Sequence, residues 1–375
     1  MKKKLHILFL CGWYPSKVFE TNGDFIERHA VAVAKKYKVT VFHIVSNPNS
    51  KKKLEIISEL KNGVQSHIAY INASKNPFLK IYLFLIAFLK LLKKESEFDV
   101  VHLNELYPFG IFSLYLKWIQ KIPFVITEHS TSYLTNSRFP FFQRQITRLV
   151  LKNSARFCPV SYNLGKTIFQ KFNIHVPYTI VPNVVNTDLF YPKFETLECF
   201  TMLHISSMKN EHKNISGLLK TVSEFSKNYA NFKLILLGES SAKYKKEAAD
   251  LGLTSKIEFM NHIPHEEVPN LINKASIFLL FSNFENLPCV ILESFSCGIP
   301  VISTDVGGIK EFFPSDFGKL IQPKDTTQLL NALLVFKDIS FSNEKKIKMH
   351  EFVKNTCGEE QVSRLFDEVY QNALP

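Results

Sequence analysis

Two glutamates eight residues apart, Glu285 and Glu293, stand in the stretch Phe281–Glu311, FSNFENLPCVILESFSCGIPVISTDVGGIKE. An apolar run, IFLLF, leads into the polar loop that carries Glu285. Pro288 falls where the first turn of a helix begins, a place it tolerates. Gly298 and Pro300 stop that helix, and PVIST reads as the next strand. Glu285 is thus expected at the helix mouth and Glu293 within the helix. The helix start at Asn286, Leu287 and Pro288 offers unpaired N–H groups and the positive end of a dipole, a natural seat for a phosphate. Metal chemistry finds no support. The six cysteines are scattered, with no CxxC pair and no histidine cluster at ligand spacing, so no metal site is expected. GxGxxG after the first strand and GxxxxGK[ST] are both absent, so dinucleotide oxidoreductases and P-loop enzymes lack their phosphate cradles here.

The strands and helices around these residues follow a regular rhythm. A chain of 375 residues suits two domains, and 46% hydrophobic with 21% charged residues excludes a disordered class. The first half reads LHILFL, helix 24–37, KVTVFHIV, helix 78–94, FDVVHLN, helix 108–120 and FVITEH, with short strands at Arg156–Ser161 and Tyr178–Val181. After the turn-rich VPNVVNTDLFYP the rhythm restarts: FTMLHIS, helix 214–229, FKLILLG, helix 241–251, KIEFM, helix 265–274, IFLLFS, helix 289–297 and PVIST. Residues 344–373 read as terminal helices. Alternation of this kind predicts an α/β chain of two Rossmann-like halves with mostly parallel sheets, joined near 185–195. Ligands are then expected at the carboxyl ends of the strands, in a cleft between two facing halves.

With these motifs in view, the chain resembles the GT4-type retaining nucleotide-sugar glycosyltransferases (glycosyl transferases group 1) of GT-B fold. The run ENLP…E…CGIPVI…VGG carries the likeness, at the right point of a second Rossmann half. Asn210–Leu219 looks like the family's phosphate-binding segment, with Lys213 as its lysine. Many members carry an arginine six residues earlier, where this chain has Ser207, with Lys209 nearby. Asn22-Gly23-Asp24-Phe25 resembles the glycine loop, Thr127-Glu128-His129 the active-site histidine segment, and Pro182-Asn183…Asp188-Leu189-Phe190 the hinge.

The resemblance implies a donor-sugar contact at Glu285, a ribose contact at Glu293, a sugar-hydroxyl bond at His129, and a diphosphate held by Lys213 and the helix start. Gly23 would let backbone approach the diphosphate. It also implies residues 1–188 as the acceptor-binding domain, 189–356 as the nucleotide-sugar domain, and a C-terminal helix, about 357–375, packing back on the first. No cofactor is implied beyond the nucleotide diphosphate sugar, which is the donor substrate. Base recognition is expected near Asn261–Pro264. His102, Asn104, Glu105 and Glu128, also at strand ends, are further candidates for acceptor contact.

Charge is unevenly shared. Residues 1–190 carry 26 Lys+Arg against 11 Asp+Glu, and the remainder 20 against 23. A basic first half beside a near-neutral second points to a polyanionic partner of the first alone. Phe78–Lys94 and Ser137–Lys152 mix apolar residues with cations, so an anionic membrane surface is the expected partner; no nucleic-acid module accompanies the charge. The apolar run at the N-terminus is short and reads as a buried strand rather than a leader, which leads to the expectation of a cytoplasmic protein peripheral to the inner face of the membrane. The acceptor is expected to be a glycan or lipid-linked glycan of surface polysaccharide or glycolipid synthesis. A catalytically silent GT-B subunit, or a sugar-nucleotide epimerase, is the alternative.

Overall fold

The structure, a computed structural model, describes residues 4–50, 52–135 and 138–374. Met1–Lys3 of the N-terminal run, Ser137 of the second cationic stretch and Pro375 lie outside the described residues. Two compact units emerge: Met1–Val184 with Glu359–Pro375, and Val185–Gly358.

The first unit is built on seven strands: β1 His6–Cys11, β2 Lys38–Asn47, β3 Leu54–Lys61, β4 Val64–Asn72, β5 Val100–Asn104, β6 Phe124–Glu128 and β7 Arg156–Pro159. They lie in the order β3-β4-β2-β1-β5-β6-β7, parallel except for β3. HILFLC of β1 is buried at every position, as a central parallel strand covered on both faces requires. Helices α1 Asp24–Ala34, α2 Pro77–Lys94, α3 Gly110–Gln120, α4 Phe141–Asn153 and α5 Tyr162–Phe172 join the strands. Their starts are encoded locally: Asn76 Oδ1 caps α2 by accepting from the N–H of Phe78 at 2.9 Å, with Pro77 at the first helical position, and Ser161 caps α5.

The second unit holds β8 Phe200–Ile205, β9 Phe232–Leu237, β10 Ile257–Met260, β11 Ile277–Leu280, β12 Val301–Thr304 and β13 Gly318–Ile321, all parallel, in the order β10-β9-β8-β11-β12-β13. Its helices are α6 Asn210–Lys213, α7 Ile215–Ser226, α8 Lys245–Asp250, α9 Val268–Asn273, α10 Cys289–Ser296, α11 Thr326–Phe336 and α12 Asn343–Cys357. The last helix, α13 Glu359–Gln371, packs on α1 in the first unit, where Tyr370 Oη bonds Nδ1 of the buried His102 at 2.7 Å.

The Rossmann rhythm read from the sequence is present in both sheets. Three details differ. The antiparallel hairpin β3–β4 was not anticipated, although Asn62-Gly63 between the strands, both at positive φ (51° and 77°), makes a two-residue hairpin turn. Tyr178–Val181 runs along the free edge of β7, bonding Phe157 and Pro159 through its backbone, but makes only an isolated bridge at Tyr178 rather than a full strand. Gly318–Ile321 adds an edge strand beyond PVIST. No helix among the described residues is long and apolar enough to cross a membrane.

Candidate active site

In the second unit, the chain winds outward from β8 to one edge of the sheet and from β11 to the other. The order reverses between these two neighbours, and the carboxyl ends of strands at such a point are where α/β sheets take ligands. The loop after β8 runs into α6; the loop after β11 carries Glu285. They are tied directly, with Asn283 N donating to His212 O at 2.7 Å and Asn283 Nδ2 to Glu211 O at 3.0 Å. These bonds bring Lys213 onto Glu285, whose Oε1 accepts from Lys213 Nζ and, at 2.7 Å, from Ser282 Oγ. Both charged side chains are largely buried, 17% and 7% exposed, so the pair is shielded from solvent screening.

The backbone under the pair is equally constrained. Thr304 Oγ1 donates to Ser282 O at 2.7 Å, and Gly308 N to Asn286 O at 2.9 Å. Gly307, at φ +60°, lies so close that a Cβ there would stand 1.9 Å from Glu285 O. That contact explains the first glycine of the VGG run. Pro288 is the N-cap of α10 rather than its first helical residue. Glu293, inside α10, is 3% exposed and sits 3.1 Å from Nε2 of His265. Ser207 and Lys209 are both exposed on the loop after β8.

The first unit has a second constellation at the carboxyl ends of β1, β5 and β6. Gly23, at φ +82°, is the N-cap of α1, and a Cβ there would fall 2.5 Å from the carbonyl carbon of Trp13. His129, just past β6, lies under the ring of Phe25 (centroids 4.6 Å) and beside His29 (5.3 Å). Its Nδ1 lies 3.0 Å from Asn183 Oδ1, within hydrogen-bond reach. Burial, and the neighbouring His29, hold the imidazole well below its usual range and therefore neutral. Glu128 accepts from the N–H groups of Leu106, His129 and Ser130. Next to it, Glu105 stands at the strained φ of 99° with its carboxyl against Gly12, and burial together with Glu128 pushes it up to about 8.

Ser207, Lys213, Glu285, Asn286, Leu287, Pro288 and Glu293 all belong to the second unit, where Lys213 meets Glu285 and Glu293 meets His265, while Gly23 and His129 belong to the first. Sequence reading missed His265 and Ser282. A histidine in the loop after β10 carries no local sign of a partner on α10. Among the described residues no group of three or more His, Cys, Asp or Glu side chains is placed to hold a metal ion.

Two parallel-rich α/β sheets, each with a polar constellation at its strand ends, define a glycosyltransferase architecture of the GT-B type. Residues 25–189 match the model described as Glycosyltransferase Family 4, and 197–355 that described as Glycosyl transferases group 1. The chain belongs to this family of glycosyltransferases. It is 31% identical to the lipopolysaccharide 1,6-galactosyltransferase of Escherichia coli (strain K12), over 51% of this chain and 54% of that protein. It is 25% identical to a Campylobacter jejuni α-1,4-N-acetyl-D-galactosaminyltransferase whose named substrate is a diNAcBac-PP-undecaprenol glycan, over 73% and 74%. The match spans about half the length of the first curated relatives. In fold it is similar to Anabaena HepE in complex with UDP, with a TM-score of 0.75 at 16% identity, covering 98% and 99% of the two chains.

Proposed function

We propose that the protein moves a sugar from a nucleoside diphosphate sugar to a hydroxyl of a glycan or lipid-linked glycan, with retention at the anomeric carbon and without a metal ion, in surface polysaccharide or glycolipid synthesis. The observation that carries this reading is the buried Lys213–Glu285 pair at the strand-order reversal, immediately before α10. Cleaving the bond between the anomeric carbon and the diphosphate oxygen leaves the electron pair, and so negative charge, on the leaving phosphate. A fixed ammonium and helix-start N–H groups aimed at that oxygen are the kind of preorganised donors that lower such a barrier most. Glu285 accepts from a hydroxyl of the donor sugar, Glu293 from the ribose of the nucleotide, and His129 bonds a sugar hydroxyl. Family membership, the UDP bound by HepE, and the lipid-linked substrate in the Campylobacter relative's name support the reading.

Thermal melting with UDP, GDP, ADP and CDP tests it, with and without EDTA, on the wild type and Glu293→Ala. A ligand at about a hundred times its Kd adds about 2.7 kcal/mol. One nucleotide is expected to stabilise the wild type equally with EDTA, and the variant much less. Loss of the shift in EDTA would end the metal-independent part.

Ser207 stands, exposed, where related transferases carry an arginine, and favours a second reading as a catalytically silent partner of another transferase. Turnover by the purified protein alone excludes that; sugar isomerisation without acceptor would instead mark an epimerase.

The first unit also bears a surface suited to an anionic membrane at the cytoplasmic face. Phe78, Ile81 and Tyr82 of α2, Trp118 and Ile119 of α3 and Phe141 and Phe142 of α4 are all exposed, amid Lys90, Lys93, Lys94 and Arg144. The stacked Phe88–Phe112 rings, 4.2 Å apart, lock α2 to α3. An interfacial helix pairs apolar side chains with flanking cations in this way. Flotation with phosphatidylglycerol vesicles should recover the wild type and lose Phe78→Asp/Tyr82→Asp. Equal recovery of both proteins would refute membrane contact through α2.

A further inference from the structure

We propose that His265 is a positioning residue for ribose recognition, holding one oxygen of Glu293 so that the carboxylate meets the ribose diol at a fixed angle. The inference rests on reading Glu293 as the ribose-binding residue. His265 opens the single 3₁₀ turn His265–Glu267 between β10 and α9. Its Nε2 lies 3.1 Å from Glu293 Oε1, and its side chain is 36% exposed against 4% for the glutamate. The imidazole packs on the buried ring of Phe190, centroids 5.1 Å apart. The carbonyl of Phe190 in turn accepts from Ser296 Oγ at 2.6 Å.

Ser296 is three residues beyond Glu293 on α10, hence on the same helix face. Phe190 therefore braces both the imidazole and the helix that bears the carboxylate, and the three segments lock one another.

The chemistry makes the histidine a helper and not a competitor. An ionised carboxylate only accepts, and its two oxygens have about four lone-pair positions. An imidazole N–H can occupy one of them while the ribose 2′- and 3′-hydroxyls donate to others. The terminal torsion of a glutamate is broad. Without the imidazole, one fewer partner fixes the carboxylate before the diol binds, and the added ordering is lost affinity. The effect belongs to the hydroxyls, so a nucleotide lacking them should not register it.

Calorimetric titration of the full chain with UDP and 2′,3′-dideoxy-UDP, and with GDP in parallel, tests this. His265→Ala should weaken UDP about tenfold and the dideoxy analogue less than about twofold. His265→Gln, which keeps an N–H donor, should recover most of the loss, and His265→Ala should add nothing in a Glu293→Ala background. Equal losses for both nucleotides would overturn the proposal, since His265 would then contact the base or diphosphate or serve the fold. An unaffected His265→Ala beside a weakened Glu293→Ala overturns the positioning role and leaves the ribose reading standing. A harmless Glu293→Ala overturns both.

Discussion

Lys213→Met is expected to lower kcat about 10²–10³-fold, the usual result of removing one fixed donor from a developing anion. It should also destabilise the second unit, for a reason unrelated to catalysis. Glu285 is buried, and without the ammonium its carboxylate keeps the Ser282 hydroxyl but loses its counter-charge. Removing one partner of a buried ion pair costs about 3–5 kcal/mol, whereas replacing both with neutral groups is often close to neutral. For a unit of this size the single change corresponds to a fall in Tm of about 6–20 °C. Lys213→Met/Glu285→Gln should therefore melt near the wild type and remain inactive. Calorimetric melting and initial-rate kinetics on the four proteins of the cycle separate the two roles. A single variant that keeps activity within tenfold would show that Lys213 does not face the leaving group. A double variant as unstable as Lys213→Met would show that charge burial is not what the pair balances.

Gly307→Ala should abolish nucleotide binding and destabilise the second unit by about 3 kcal/mol or more, from overpacking together with left-handed backbone strain. The methyl carbon would lie 1.9 Å from Glu285 O and 3.2 Å from Asn286 O, both backbone atoms that cannot swing aside. Relief requires moving the segment that carries the Glu285 carboxylate and leads into α10. Gly252→Ala isolates the backbone component. Gly252 has a similar φ of +73° but nothing within 4 Å of its would-be Cβ, so the change should cost only about 1–2 kcal/mol and leave nucleotide affinity intact. Similar melting and binding losses in the two variants would mean that φ alone, and not the approach to Glu285, requires glycine at 307.

Features that depend on near neighbours in the chain are legible in its residues. Strand–helix alternation is written in apolar runs such as HILFLC and FKLILL. The start and stop of α10 are written in Pro288 and Gly298, and the cap of α2 in Asn76-Pro77. Even the overlooked β3–β4 hairpin had its sign in Asn62-Gly63. Which of these residues meet is settled by the packing of distant elements. Lys213 and Glu285 are 72 positions apart, and they pair because β8 and β11 lie side by side where the strand order reverses. His265 reaches Glu293 because the turn after β10 is held against Phe190, and the closeness of Gly307 to Glu285 comes from the loop after β12 folding back onto the loop after β11. Sheet order is set by how whole elements bury their faces against one another, a sum over many weak contacts at long separation. No local spacing in the chain records it.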